Sequence, residues 1–236
     1  MARVLTALPV YNEKSTVNQV LDEVIRFSPD VLVVDDGSND GTSALLSRRS
    51  DIQIVLHREN RGYGAALISA FDFAIRNNYD SLVTIDCDGQ HQPSLIGDFV
   101  EQLENTGCDI VSGSRYLKTF DGDSTPPIER RRINQQIAEI LNARFELKLT
   151  DAFCGFKAYR VETLRRFCLT ETGYAMPLQL WVQAATMKMI ITELAVPLVY
   201  LDETRSFGAG LDDGDKRLKY YLDVIERSLA ALPCGC

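Results

Sequence analysis

Through the first half of the chain, short apolar runs rich in β-branched residues alternate with amphipathic stretches, and few folds accommodate that order. The runs Val4 to Val10, Val31 to Val34, Ile52 to Leu56, Leu82 to Ile85 and Ile110-Val111 are bounded by polar turns, as buried strands are. Between the first two, Ser15 or Thr16 can cap a helix that carries Val17, Val20, Leu21, Val24 and Ile25 on one face, with Pro29 beyond its end. Ala65 to Ile75 and Leu95 to Leu103 repeat the helical pattern, the latter shortly after Pro93. Strands joined through helices need crossover connections. The expectation is therefore an α/β fold with a largely parallel, Rossmann-like sheet covered by helices on both faces. A chain of 236 residues with 45% hydrophobic content is long enough for one such core and short for two.

The second half changes character. Residues 120–127 hold two Asp, one Gly and two Pro, a loop composition, and lead into a helix from about Ile128 to Arg144 with Ile133, Ile137, Ile140 and Leu141 at helical spacing. Pro177 to Met187 reads as a helix with Trp181 in the core. Ile190 to Tyr200 reads as a strand in which Pro197 favours an edge or a bulge. A terminal helix carries Leu218, Tyr221, Leu222, Ile225 and Leu229.

In an open α/β sheet, ligands bind outside the carboxyl ends of the strands, so polar residues that follow successive strands mark a site. Here they follow five: Pro9-Val10-Tyr11-Asn12-Glu13, then Asp35-Asp36-Gly37-Ser38, then His57 through Gly64, then Asp86-Cys87-Asp88-Gly89-Gln90-His91, then Ser112-Gly113-Ser114-Arg115-Tyr116. An isolated Asp-x-Asp is usually an acidic turn, but five clusters on one edge make a binding surface. On an extended backbone, Asp86, Asp88 and Gln90 leave on the same side and offer hard oxygen ligands, the donor set of Mg²⁺ or Mn²⁺, with Gly89 able to bend the path. An aromatic and a carboxylate at Tyr11 and Glu13, with a second carboxylate at Asp36, suit a nucleobase and ribose. Asp35-Asp36-Gly37-Ser38 taken alone fits a tight turn and helix cap equally well. Gly62-Tyr63-Gly64 would let backbone approach a phosphate, although it lacks the third glycine of a dinucleotide fingerprint. His57 reads as a loop-edge residue and His91 as one that orients the acidic turn.

A net charge of −8 argues against a nucleic-acid binder, which needs a basic face to displace counterions. No apolar run approaches the length of a membrane span and the N-terminus has no signal-peptide layout, so the expectation is a soluble or peripheral protein facing the cytoplasm. Cysteines 87, 108, 154, 168, 234 and 236 form no Cys-x-x-Cys pair and read mostly as small buried thiols in a reducing compartment.

The ordered set P-V-Y-N-E, V-D-D-G-S-N-D-G-T, N-R-G-Y-G-A-A-L, D-C-D-G-Q-H-Q-P, S-G-S-R-Y, D-A-F-C-G-F-K-A-Y-R and a late R-S-F-G resembles the family 2 glycosyltransferases of the GT-A fold. It is most similar to those that use dolichyl or polyprenyl phosphate. The resemblance implies an inverting enzyme that moves a sugar from a GDP- or UDP-sugar to a lipid phosphate with a divalent metal. It implies a nucleotide-binding part at about 1–115, an acceptor-binding part at about 116–210 and a C-terminal helix at about 214–232. Carried over by position, Pro9, Tyr11, Glu13 and Asp36 match nucleoside-binding residues, and Asp86, Asp88 and Gln90 match metal and diphosphate residues, with Asp86 shared between cation and ribose. Arg115, an arginine among Arg130, Arg131 and Arg132, and Arg205 match residues that hold the acceptor phosphate or the donor diphosphate. The chain departs from many relatives in lacking C-terminal membrane helices, so contact with the membrane would be peripheral or through a membrane-embedded partner. Its late loop also departs from the commoner arginine, glycine, serine, lysine order.

A phosphate monoester acceptor has its second pKa near ~6 and arrives ionised, so it needs cations to position it rather than a base. From Arg115 to Arg132 there are five Lys or Arg against three Asp or Glu, a local net charge of +2 in an acidic chain. A saccharide hydroxyl as acceptor would instead require a general base, and Asp151 is the first candidate.

Overall fold

The computed structural model describes residues 2–201 and 211–231. The late R-S-F-G motif with Arg205, and Cys234 and Cys236, lie outside the described residues. Seven strands, β1 (Val4–Val10), β2 (Asp30–Asp35), β3 (Gln53–Leu56), β4 (Ser81–Thr84), β5 (Ile110–Ser114), β6 (Lys157–Arg160) and β7 (Ile191–Ala195), form one sheet in the order β3-β2-β1-β4-β6-β5-β7. Every pairing is parallel except those of β6, which runs antiparallel to both β4 and β5.

Helices α1 (Val17–Val24), α2 (Thr42–Leu46), α3 (Tyr63–Arg76), α4 (Ile96–Thr106), α5 (Ile128–Phe145), α6 (Val161–Leu164), α7 (Met176–Thr186) and α8 (Gly214–Ala230) connect and cover the strands. Alternation along the strands splits the core in two, because successive side chains leave on opposite faces. Leu5, Ala7, Leu32 and Val34 pack with Phe71 of α3, Ile137 of α5, Trp181 of α7 and Ile225 of α8. Leu8, Val10, Val31 and Val33 pack with Leu21 of α1 and Phe99 of α4.

The expected α/β architecture is present, with differences that matter for the site. Strand β6 breaks the adjacency of β4 and β5, and it enters the sheet at the carboxyl ends of the parallel strands. That direction delivers residues 151–156 to the same edge as the polar clusters. Its Lys157 sits opposite both Thr84 and Ser112 and is only 3% exposed, so a sequence of Lys-Ala-Tyr-Arg forms a central strand. The strand expected over 190–200 ends at Ala195, before Pro197, and is an edge strand. Cys87, Cys108 and Cys154 are buried, whereas Cys168 is exposed.

Candidate active site

The loops after β1 and β2 are stitched to each other. Asn12, in a left-handed conformation (φ 58°), donates its N–H to Ser38 Oγ (2.9 Å) and accepts the Asn39 N–H on its own Oδ1 (2.9 Å). The Asp36 N–H donates to Val10 O (2.8 Å), which sets Asp36 beside Tyr11, 41% exposed at the edge. Pro9 closes the same stretch of β1 and is half-buried. Glu13 is buried, and its carboxylate accepts from the Thr16 hydroxyl (2.9 Å), so Thr16 stands at the start of α1 without capping it by a side-chain bond.

Asp36 is buried and faces the chain itself. Its Oδ1 accepts from the Arg61 N–H (3.0 Å) and lies 2.6 Å from His57 Nδ1, while Oδ2 accepts from the Gly62 N–H (2.8 Å). His57, expected at a loop edge, is buried and also reaches Ser69 Oγ through Nε2 (2.9 Å). The Asp36 carboxylate thus organises the loop after β3. The glycines of that loop serve close packing of the chain on itself. A Cβ on Gly62 would stand 2.4 Å from Thr172 O, and one on Gly64 would stand 2.6 Å from both Glu171 O and Met176 Cβ.

The acidic turn departs from simple strand alternation. Strand β4 ends at Thr84, the backbone bends at 87–89, and Gly89 takes φ 76°, so Asp86, Asp88 and Gln90 leave a turn and not an extended run. Asp88 Oδ1 accepts the Gln90 N–H (3.1 Å), the short-range bond typical of an Asx turn. Asp86 is held on three sides. Tyr63 Oη donates to Oδ1 (3.0 Å), His91 Nε2 lies 3.4 Å from Oδ2, and the carboxylate occupies the space in front of Gly155, where a Cβ would meet Oδ2 at 2.1 Å. Burial works against its charge, but His91, the Tyr63 hydroxyl and the nearby Lys157 cation outweigh it and hold the carboxyl below its usual range. Lys157 itself is buried, donates to Cys154 O and lies 5.5 Å from the Trp181 ring centroid; burial pushes its pKa down.

Two carboxylates and an amide are hard oxygen donors, the chemistry of Mg²⁺ and Mn²⁺. Among the described residues, no group of three or more His, Cys, Asp or Glu side chains converges to hold a metal ion. Asp86, Asp88 and Gln90 match such a cation in donor type alone. One atom of the turn, His91 Nδ1, is buried without a hydrogen-bond partner.

At the next strand end stands a buried ion pair. Arg115, directly after β5, donates Nε to Asp151 Oδ2 (2.7 Å) and an Nη to Oδ1 (2.9 Å). Asp151 is fully buried and accepts further from Asn134 Nδ2 (2.7 Å) and the Phe153 N–H (3.1 Å). Burial opposes its charge, but Arg115 and these donors outweigh that and hold the carboxyl well below the usual range. Burial likewise opposes the Arg115 charge, and Asp151 overrides it, so its pKa is raised. Both Asp151 oxygens face donors. The arrangement suits holding Arg115 in place and not general-base work. The loop itself is anchored by Trp181 Nε1, which donates to Ala152 O (2.9 Å), and by the Glu193 carboxylate, which accepts from the Thr150 and Asp151 N–H groups.

The first turn of α5 joins this corner. Arg115 and Arg131 each lie within reach of the Tyr116 ring, at 5.8 and 5.7 Å from its centroid. Arg130 donates to Tyr200 Oη (2.7 Å), and Arg132 is exposed. The fold thus gathers the acidic turn, Arg115 and the first turn of α5 along one end of the sheet. The roles of Tyr63, His57, Asn134, Gly155 and Lys157 escaped the sequence reading. Four of them, all but Asn134, lie inside motifs that drew notice for other reasons.

The sequence pattern of the family described as Glycosyl transferase family 2 matches residues 6–167. The chain is 33% identical to the undecaprenyl-phosphate mannosyltransferase of Micrococcus luteus, over 97% of this chain and 95% of that protein. It is 32% identical to the polyprenol monophosphomannose synthase of Mycolicibacterium smegmatis, over 95% of this chain and 86% of that protein. Its fold is similar to that of glucosyl-3-phosphoglycerate synthase from Mycobacterium tuberculosis, crystallised with Mn²⁺, UDP and glucosyl-3-phosphoglycerate. That likeness has a TM-score of 0.73 at 18% identity and covers 99% of this chain and 82% of that one.

Proposed function

This chain belongs to glycosyl transferase family 2 and is a glycosyltransferase of the GT-A fold, and from that premise we propose that it moves a mannosyl residue from a nucleoside diphosphate donor to the phosphate of a polyprenyl lipid, with inversion at the anomeric carbon. The observation that carries the acceptor class is the Arg115–Asp151 pair. A guanidinium fixed by a buried carboxylate can receive a phosphate without reorganising, and it stands beside the Tyr116 and Arg131 side chains. Two relatives that match nearly the whole chain carry polyprenyl-phosphate mannosyl transfer in their names.

In this reading Pro9, Tyr11 and Glu13 line the nucleoside position, and Asp36 shapes that position by ordering the loop behind it. Asp86 and Asp88, with Gln90, would hold Mg²⁺ or Mn²⁺, whose charge would stabilise the departing diphosphate. Tyr63, His91 and Gly155 keep the Asp86 carboxylate in one place. Arg115, with Arg130, Arg131 or Arg132, positions the acceptor phosphate, and Arg205 pairs with the diphosphate. A phosphate oxygen of the lipid forms the new bond to the anomeric carbon as the bond to the diphosphate breaks, its electron pair leaving with the diphosphate. No proton needs removal from an ionised phosphate, in keeping with the engaged state of Asp151. Such an enzyme would work at the cytoplasmic face of a membrane.

The test is transfer from radiolabelled GDP-mannose, with UDP-glucose in parallel, to a short polyprenyl phosphate, with Mn²⁺ and then with chelator. Chelator-sensitive, solvent-extractable product of inverted anomeric configuration is expected. Label appearing on a saccharide hydroxyl, and none on the lipid, would reject the acceptor assignment.

A further inference from the structure

We infer that Glu193 is a positioning residue for the acceptor phosphate, holding segment 150–151 so that Asp151 presents Arg115 in one orientation; the inference rests on the lipid-phosphate reading above. Strand β7 lies at the edge of the sheet, and its Glu193 stands opposite Ser112 of β5, shortly before Arg115. The Glu193 carboxylate is half-buried and serves a distant part of the chain. Its two oxygens accept the Thr150 N–H (2.9 and 3.0 Å), Oε2 also accepts the Thr150 hydroxyl (2.7 Å), and Oε1 accepts the Asp151 N–H (3.1 Å). Burial pushes the Glu193 pKa up, and these Thr150 and Asp151 donors pull it down.

Two branches run from this carboxylate to the acceptor corner. Through the Asp151 N–H it fixes the backbone from which the Asp151 side chain grips Arg115 (2.7 and 2.9 Å). Through the Thr150 hydroxyl it reaches Ser114. That hydroxyl gives its proton to Glu193, so it accepts from Ser114 Oγ (2.5 Å), which in turn accepts the Tyr116 N–H (3.2 Å). Ser114, Arg115 and Tyr116 are thus held in succession. From the other side, Asn134 of α5 accepts the Ala152 N–H (3.0 Å) and donates to Asp151 Oδ1 (2.7 Å), while the Phe153 N–H goes to Asp151 itself. Each N–H from 150 to 153 therefore has a side-chain acceptor, and one carboxylate serves the first two. Without Glu193, two N–H groups and a hydroxyl lose their acceptor, and the slack passes to Arg115. A guanidinium that receives a phosphate through its planar fork works best when its orientation is set beforehand.

The test compares Glu193→Ala, Glu193→Gln and Gln102→Leu in the full chain, each assayed well below its melting temperature. Gln102 Nε2 donates to Glu193 O and Thr192 Oγ1, so its loss loosens the same strand without touching segment 150–151. Glu193→Ala should raise KM for a short polyprenyl phosphate about tenfold, the effect of one charge-assisted hydrogen bond, while donor KM holds. Glu193→Gln keeps one acceptor oxygen and should fall between Ala and wild type. Gln102→Leu should lower stability and leave both KM values as they are. Combined with Asp151→Asn, Glu193→Ala should add far less than it does alone, because both act through Arg115. A second readout needs no acceptor: the Arg115 Nε–H, bonded to Asp151, should exchange with solvent about tenfold faster in Glu193→Ala. The inference is overturned if that exchange is unchanged, if Gln102→Leu raises acceptor KM as much as Glu193→Ala, if donor and acceptor KM rise together, or if the combined variant shows the full product of the two effects. Faster exchange with an unaltered acceptor KM in both Glu193→Ala and Asp151→Asn would reject the acceptor reading instead, and would leave Glu193 as the residue that positions Arg115.

Discussion

Replacing Asp151 by Asn tests the interaction on which the acceptor corner is built. Asp151 Oδ1 accepts from Arg115, Asn134 and the Phe153 N–H, and Oδ2 from the Arg115 Nε and N–H, so every neighbour is a donor. The Asn amide must turn its NH₂ toward one of these groups, and it also leaves the Arg115 charge without its counterion. Breaking one side of a buried pair costs about 3–5 kcal/mol, and because the Arg115 side chain keeps 20% of its exposure, water lessens the penalty toward about 3 kcal/mol. For a domain of this size that is a fall in melting temperature of about 6–12 °C. Chemical denaturation at several pH values is the assay. The Asp151 pKa is depressed in the folded protein, so its stabilisation is complete above the unfolded-state value near ~3.9 and is lost as pH falls below it. The deficit of the variant should be constant from neutral pH down to about 5 and narrow below about 4. Acceptor KM should rise while donor KM holds. A variant within about 0.5 kcal/mol of wild type, or a deficit that widens on acidification, would refute the reasoning.

Gly155→Ala would set a Cβ 2.1 Å from Asp86 Oδ2, and the Tyr63 and His91 contacts leave that carboxylate little room to retreat. Mn²⁺-dependent stabilisation by nucleoside diphosphate, read by thermal shift, should be lost while far-UV circular dichroism is unchanged. Asp88→Ala should abolish the metal-dependent part of the same shift and leave the metal-free melting temperature near that of wild type; an unaltered shift removes Asp88 from the metal assignment. Gly62→Ala combines a backbone at φ 103° with a Cβ 2.4 Å from Thr172 O, and overpacking of that kind should lower stability by about 1–3 kcal/mol in urea unfolding. Equal stability would mean that segment 171–173 yields easily.

The elements most legible in the sequence were those whose own apolar periodicity records which face is buried. The apolar runs that became β1 to β5 alternate with amphipathic helices, and α5 from Ile128 and α7 around Trp181 stand where the periodicity put them. Strand β6 was not legible, because its Lys157 reads as a surface residue until two neighbouring strands and the Trp181 ring enclose it. Gly62 and Gly64 read as glycines that would let backbone approach a phosphate, and only the approach of residues 171–176 reveals what they make room for.

By itself the sequence determined the strand and helix alternation, and with it a parallel sheet whose carboxyl edge collects the polar clusters, together with the ordered motifs that mark the family. Only the tertiary structure decided that Asp151 grips Arg115 across 36 residues of chain, that His57 is buried against Asp36, and that Asp86 rests on Gly155. Periodicity records which face of an element avoids water. Whether a carboxylate stays ionised and immobile depends on the donors that surround it, and here those donors come from strands and loops far apart in the chain.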